Sequence, residues 1–314
     1  MAVTPAALAC GVPELPDVTV YVESLQKRVV GQVLLGVRLA SPFLLRSADP
    51  PLRAVEGKRV REVRRLGKQI VIGLEDDLYL VLHLMIAGRL RWREEDRAKV
   101  PAKVGLAAFD FPIGTLLLTE ASSKKRASLY VVWGSETLAE FDRAGLEVLD
   151  APLPDFRRVL MSENHTLKRA LTDPDLFSGI GNAYSDEILW EAQLSPVRQT
   201  RQLGEDEIAR LYEATQRTLH AWLERLRAEA ALGWPDKVTA FRDGMAVHGR
   251  YGKPCPRCGT PVQRIVHAEN ESNYCPRCQT EGRLLADRSL SRVLRDDWPR
   301  TIDELERRRT KARA

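Results

Sequence analysis

The residues with the clearest capacity for chemistry stand near the start of the sequence, in Val12-Pro13-Glu14-Leu15-Pro16-Asp17-Val18. A proline whose nitrogen ends a chain is a secondary amine. It condenses with an aldehyde to give a cationic iminium, an electron sink for the neighbouring carbon. An α-amino group titrates about 2.5 units below a lysine, so near neutrality it is far more often the free nucleophile. Glu14, the next residue, offers a carboxyl to give or take protons. As written, however, Pro13 follows twelve residues and its nitrogen is an amide. The stretch MAVTPAALACGV has no basic n-region and no apolar run of signal-peptide length. Val12 is what a GTG codon encodes, and GTG also serves as an initiation codon. Initiation there, followed by methionine removal, leaves Pro13 as residue one. Residues 1–12 are therefore expected to be an extension outside the mature chain.

Three further groups of residues invite a chemical reading. The run from Lys58 to Gln69 carries six cations against one acid, and Lys68 follows a glycine just before the apolar Ile70-Val71-Ile72. A cation at the mouth of a cleft there can donate a proton to a leaving oxygen, whereas Arg59 and Arg61 fit a solvated strand face. His83-Leu84-Met85-Ile86-Ala87-Gly88 places a histidine at a strand end, a position also common for a core histidine. Met85 or Ile86 behind it can act as an apolar wedge towards a base stack. In Ser178-Gly179-Ile180-Gly181-Asn182, two glycines precede a helix start, where backbone N–H groups and the helix dipole favour a phosphate. Alone, that pattern also fits an ordinary tight turn.

Metal chemistry is the strongest local signal. Cys255-Pro-Arg-Cys258 and Cys275-Pro-Arg-Cys278 are separated by sixteen residues. Two knuckles of this kind present four thiolates tetrahedrally, the closed set of a structural zinc. Arg250, Lys253, Arg257, Arg264 and Arg277 surround the pairs and are candidates for phosphate contact.

The elements that must position these groups change character along the chain. Pro16-Asp17 starts a helix with Val18, Tyr21, Val22, Leu25 and Val29 on one face. From Val33 to Val132 short apolar runs separated by turns predict a two-layer β packing, with Val33 to Leu39 alternating as one strand. Beyond Pro152-Leu153-Pro154-Asp155 the texture is helical, at 156–162, 166–171, 183–193 and 205–231, and Gly233-Trp234-Pro235 stops the last. A charged helix is expected around 302–311. The 314 residues, a formal charge of +5 and the lack of any apolar run near membrane-spanning length point to a multidomain cytoplasmic chain.

Taken in order, Pro-Glu-Leu-Pro at 13–16, Lys68, His-Leu-x-x-x-Gly at 83–88, Gly-x-Gly-Asn at 179–182 and the four-cysteine ribbon resemble the formamidopyrimidine-DNA glycosylase/endonuclease VIII family, nearer its formamidopyrimidine branch. The resemblance spans Pro13 to Gln279. It implies an α+β multidomain fold: an N-terminal β-sandwich over 13–150, a helix-two-turn-helix domain over 151–245, a zinc-finger hairpin over 246–282 and a charged tail over 283–314. It further implies a base-excision enzyme acting as a monomer on damaged double-stranded DNA, away from membranes, with oxidised or ring-opened purines favoured. Pro13 would attack the sugar, Glu14 would protonate its ring oxygen and Lys68 would assist. His83, Arg126, Lys168 and Asn182 are the expected DNA contacts. One structural zinc would be held by Cys255, Cys258, Cys275 and Cys278.

The sequence departs from the family at three places. Asn270 stands where the finger carries an arginine, flanked by Glu269 and Glu271, which removes a cation from the expected phosphate clamp. Glu120-Ala-Ser-Ser-Lys-Lys-Arg126 replaces the Arg-Phe wedge loop, and Asp17 replaces a glutamate. A second reading therefore stays open at this point: a damaged-DNA-binding protein of the same fold without the chemistry.

Overall fold

The computed structural model describes residues 12–122, 124–236, 242–267, 270–286 and 299–311. They belong to two compact units, one of residues 1–145 with 219–240, the other of 146–218 with 241–314. Of the expected extension, only Val12 is among the described residues.

The first unit opens on α1, Leu15–Val29. Pro16 and Asp17 favour its first turn, Lys27 and Arg28 its last, and the chain leaves it through an extended Val30. Nine strands follow: β1 Val33–Leu34, β2 Gly36–Leu39, β3 Lys58–Leu66, β4 Gln69–Leu74, β5 Leu78–His83, β6 Gly88–Arg93, β7 Gly105–Phe111, β8 Gly114–Glu120 and β9 Ser128–Trp133. They form two antiparallel sheets, ordered β1-β3-β4-β5-β9 and β2-β7-β8-β6. Ile70, Ile72, Leu80, Leu82 and Val131 of one sheet share a buried core with Leu90, Phe109, Leu116 and Leu118 of the other, and with the apolar face of α1. The uninterrupted run Ile70-Val71-Ile72 is explained by cover on both faces. Val71 points away from that core and packs with Val81, Val132 and Leu138 of the short helix α2, Ser135–Ala139.

One expectation needs correction. The run from Val33 to Leu39 is two strands in different sheets, because β1 pairs with β3 and β2 with β7. Leu35 sits at the crossing, half exposed, with its N–H donated to the Asp110 carbonyl at 2.8 Å. Arg38 then grips the Asp110 carboxylate at 2.6 and 2.8 Å, which locks β2 in place.

The chain enters the second unit at Leu146, which bridges to Phe177, ahead of the expected boundary after residue 150. Helices α3 Leu153–Ser162, α4 Leu167–Thr172 and α5 Asn182–Glu191 lead to the long α6, Glu205–Ala231. Phe156 stacks against Phe177 at 4.9 Å and against Tyr212 at 5.5 Å, while the Tyr212 hydroxyl donates to the Ala151 carbonyl. The apolar stripe of α6 is divided between the units: Ile208, Leu211 and Thr215 lie in the second, and Leu219, Leu223 and Leu226 in the first. In the first unit Arg227 pairs bidentately with Glu23 of α1, and the Trp234 indole donates to the Leu90 carbonyl at 2.9 Å.

The zinc-finger hairpin is β10 Gln263–His267 and β11 Asn270–Tyr274, followed by α7, Pro276–Thr280. The expected tail helix is α8, Ile302–Lys311. Ile302 is fully buried, its N–H bonds to the Gly282 carbonyl, and Asp303 pairs with Arg277 of the second knuckle. The described end of the tail, 299–311, is thus packed against the finger module. No helix among the described residues is long and apolar enough to cross a membrane.

Candidate active site and metal centre

The start of α1 is shaped by Glu14 and Asp17. Their carboxylates form a reciprocal capping box, in which the Glu14 N–H donates to Asp17 Oδ2 at 3.0 Å and both side chains are buried. The shorter Asp17 reaches its partner without the missing methylene. Pro13, just ahead, is buried as well.

Helix and strand packing then brings distant residues to one end of the unit. Gly31, just past α1, donates its N–H to the Val60 carbonyl, and Gln26 donates to the Val63 carbonyl at 2.7 Å. The helix therefore runs antiparallel to β3. From Gln26 back to Glu14 it rises about 18 Å. From Val63 on to Lys68 the strand and its turn extend about 16 Å. Pro13, Glu14 and Lys68 so arrive at the same end.

Lys68 occupies the second position of a two-residue hairpin turn whose first, Gly67, has φ +59°, closed by the pair Leu66 and Gln69. Gln69 faces His83 across β4 and β5, and His83 faces Ser128 across β5 and β9. Glu120, at the end of β8, pairs with Gly88 at the start of β6. Two of the crossings between the sheets, 84–87 and the segment after Glu120, therefore lie at this end. A Cβ on Gly88 would sit 2.1 Å from the Leu84 carbonyl oxygen, so only glycine closes the first crossing. The buried Glu120 carboxylate accepts the N–H groups of Arg126 and Ala127 at 3.0 to 3.1 Å. It orders the second crossing and leaves Arg126 exposed.

His83 has a defined protonation. Its Nδ1 accepts the Met85 N–H at 3.0 Å, so the neutral ring carries its proton on Nε2. Burial, with Lys68 adding to it, pushes its pKa down to about 4. The folded state therefore binds fewer protons than the unfolded state between pH 6.5 and 4. Stability from the neutral ring is complete above pH 6.5 and is lost as pH falls through 4, up to about 3 kcal/mol for such a shift. In chemical denaturation, His83→Gln should flatten the acid-side loss over that window; an unchanged slope would place the effect elsewhere. Met85 adopts φ +50°. Relief of this left-handed strain, less the entropy cost of glycine, should let Met85→Gly raise stability by about 0.5–1 kcal/mol. A lower melting point would mean that side-chain packing outweighs the strain.

In the second unit, Gly181 caps α5 and Asn182 is its first residue, behind Gly179 at φ +80°. The backbone N–H groups of this first turn lie at the positive end of the helix dipole, an arrangement that favours an anion. One Asn182 amide proton is donated to the Glu271 carbonyl of β11 at 2.9 Å. Lys168 differs from expectation. Its ammonium lies inside, donating to the Asn182 carbonyl and to Asp186 Oδ1, each at 2.5 Å, so its contacts hold the turn.

The four cysteine sulfurs lie within 4.8 Å of one another. The separations of 3.4, 3.5 and 4.0 Å seen for three of the pairs bracket the roughly 3.8 Å edge of a tetrahedron with Zn–S near 2.3 Å. The residues fit zinc. Trp190 Nε1 adds an outer hydrogen bond to Cys255 Sγ at 3.3 Å. The finger arginines are less available than their number suggests. Arg257 pairs with Glu191 and stacks on Trp190, Arg264 pairs with Glu271, and Arg277 pairs with Asp303. Asn270 pairs with His267 at the hairpin end; Ala268 and Glu269 lie outside the described residues.

Sequence reasoning passed over the buried acids Asp186 and Glu187, and His248 and Asn273 that meet them. Two consecutive carboxylates on the otherwise apolar start of α5 were the available signal.

Comparison with known proteins follows the same order of modules. The formamidopyrimidine-DNA glycosylase N-terminal domain matches residues 12–120, the H2TH domain of the same enzyme 148–230, and the zinc finger found in FPG and IleRS 252–280. Formamidopyrimidine-DNA glycosylase of Thermus thermophilus is 34% identical over 278 residues, covering 86% of this chain and 99% of the relative. That of Herpetosiphon aurantiacus is 31% identical over 275 residues, covering 85% and 99%. Lactococcus lactis Fpg, solved in complex with an abasic site containing DNA, aligns with a TM-score of 0.74 at 26% identity, covering 85% of this chain and 99% of its own. The crystal structure of the MutM (Fpg) protein of Thermus thermophilus aligns at 0.69 with 33% identity, covering 85% and 98%. With similarity running through all three modules and nearly the whole length of these relatives, the chain belongs to the formamidopyrimidine-DNA glycosylase family.

Proposed function

We propose that the protein is a base-excision-repair DNA glycosylase with apurinic/apyrimidinic lyase activity, acting as a monomer on oxidised or ring-opened bases in duplex DNA, purines favoured. The observation that carries this reading is the gathering of Pro13, Glu14, Lys68, His83 and the crossing loops at 84–87 and after Glu120 at one end of the first unit. One complete set of these residues per chain supports the monomer.

With Pro13 as residue one, its nitrogen lone pair attacks the sugar C1′ and the damaged base leaves with the glycosidic electron pair. Glu14 protonates the ring oxygen as the sugar opens, and the nitrogen becomes an iminium. The iminium acidifies C2′; loss of that proton expels the 3′ phosphate and breaks the strand. Lys68 supplies a cation and a proton beside the reacting sugar. His83, neutral through the physiological range, offers Nε2–H as a donor. Asn182 and the first turn of α5 bind backbone phosphate, Arg126 extends from the second crossing loop, and Lys168 holds the Asn182 turn. One zinc held by the four cysteines makes the hairpin rigid and takes no part in bond breaking.

The test is borohydride reduction during incubation with a duplex carrying 8-oxoguanine or an abasic site. A covalent protein–DNA adduct whose linkage maps to Pro13, together with strand cleavage, is expected. Lesion binding with neither adduct nor cleavage, by protein shown to begin at Pro13, would establish the non-catalytic alternative.

A further inference from the structure

The second unit contains a closed ring of polar contacts whose central acid has no part in the catalytic reading. Its centre is Asp186, on the buried face of α5 and fully inaccessible. Oδ1 accepts the Lys168 ammonium at 2.5 Å. Oδ2 lies 2.8 Å from His248 Nδ1, 3.1 Å from the Asn273 backbone nitrogen and 3.3 Å from Asn273 Nδ2. One carboxylate therefore joins α4, the segment before the first knuckle and β11 of the finger hairpin.

The ring closes through Asn182. Lys168 also donates to the Asn182 carbonyl, and the Asn182 side chain donates to the Glu271 carbonyl, two residues from Asn273 on β11. Burial alone would raise the Asp186 pKa, but Lys168 and His248 outweigh it and hold the carboxyl below its usual range. An ionised, fully buried acid is costly to leave with any partner missing, so these contacts form and break together.

We propose that Asp186 is a positioning residue that couples the Asn182 phosphate site to the zinc hairpin, so that DNA-backbone binding and zinc retention strengthen each other. Asn182 reaches its phosphate-binding pose while β11 supplies the Glu271 carbonyl, and β11 is docked while Asp186 holds Asn273. A bound phosphodiester stabilises the docked hairpin and slows metal loss; by linkage, metal loss weakens phosphodiester binding by the same factor. The proposal rests on the reading of Asn182 as a phosphate site.

The experiment uses the full chain with its zinc. Metal release to a colorimetric chelator is timed with and without a duplex carrying a tetrahydrofuran abasic analogue. The native protein should release zinc about tenfold more slowly with the duplex, within the usual range of coupling between two sites. In Asp186→Asn, which keeps shape and removes the charge, that ratio should fall towards one and duplex affinity should drop by a similar factor, with one zinc still bound at the outset. A purely structural role would speed release equally with and without DNA. That result, or a native ratio of one, overturns the proposal. If Asp186→Asn does not fold, Asn273→Ala tests the hairpin side, and an unchanged ratio there is equally decisive. Failure of borohydride trapping by the native protein would sink the glycosylase reading while leaving this ratio intact.

Discussion

A protein that begins at Pro13 is expected to form the borohydride-trapped adduct with abasic duplex, and the same protein with all twelve preceding residues retained is expected to form none. The amide nitrogen has no available lone pair, so the difference should be at least about a thousandfold, the scale of losing an activated nucleophile. Glu14→Gln separates the two halves of the reaction. Base excision should fall by about 10²–10⁴, the usual worth of a placed general acid, because ring opening loses its proton donor. Trapping on a preformed abasic site, where the aldehyde already exists, should persist. The capping box predicts a second, smaller effect of this substitution. Glutamine still accepts the Asp17 N–H, so the melting temperature should move little. A Glu14→Gln protein that excises 8-oxoguanine at the native rate would remove Glu14 from the chemistry.

The second large effect concerns the metal. Removal of zinc, or Cys258→Ser at the most exposed ligand, is expected to unfold the module of β10, β11 and α7, because its buried apolar side chains beside the cysteines are few: Val262, Ile265, Tyr274 and Ile302. Its buried cluster is Val247, Cys255, Val262 and Cys275, with Trp190 and Cys278 alongside. Binding of such a metal supplies folding free energy on the order of 10 kcal/mol, more than so few apolar side chains can replace. Affinity for abasic duplex should fall by about tenfold as the Glu271 carbonyl leaves Asn182, the reciprocal of the effect of DNA on zinc release. Near-ultraviolet circular dichroism of the finger tyrosines, Tyr251 and Tyr274, should collapse while the far-ultraviolet helix signal largely survives. Native affinity in fully zinc-free protein would show that the hairpin folds on its own.

Much of this arrangement was legible in the sequence because the informative signals are local. Helix α6 spans 205–231 and α8 spans 302–311 as the apolar and charged patterns predict, and the cysteine spacing alone specifies a four-thiolate site. What escaped depends on distance in space. The split of Val33 to Leu39 between two sheets is hidden by the apolar alternation, because the residues it buries are Leu34 and Val37, three apart, with the phase changing at the exposed Leu35. The inward turn of Lys168 and the neutralisation of Arg257, Arg264 and Arg277 follow from acids far away in sequence or on a facing strand. A basic residue beside a cysteine reads as a phosphate contact until its acid is known. The departures from the family are also sharpened. Asp17 caps α1 fully, and Glu120 gives the altered wedge loop a fixed base.

The two ends of the sandwich carry different obligations. The tight connections at 75–77 and 112–113 sit opposite the crossings at 84–87 and after Glu120, because β4 to β5 and β7 to β8 turn back at the far end. Strand register is set by those short turns, so residues can be gained or lost in the crossings without sliding the hydrophobic pattern. Lesion preference can therefore diverge by insertion and deletion at one pole while the other preserves the scaffold. The same asymmetry suits labelling: a fluorophore at Ile113, which is 45% exposed, reads folding from the pole that the chemistry leaves alone.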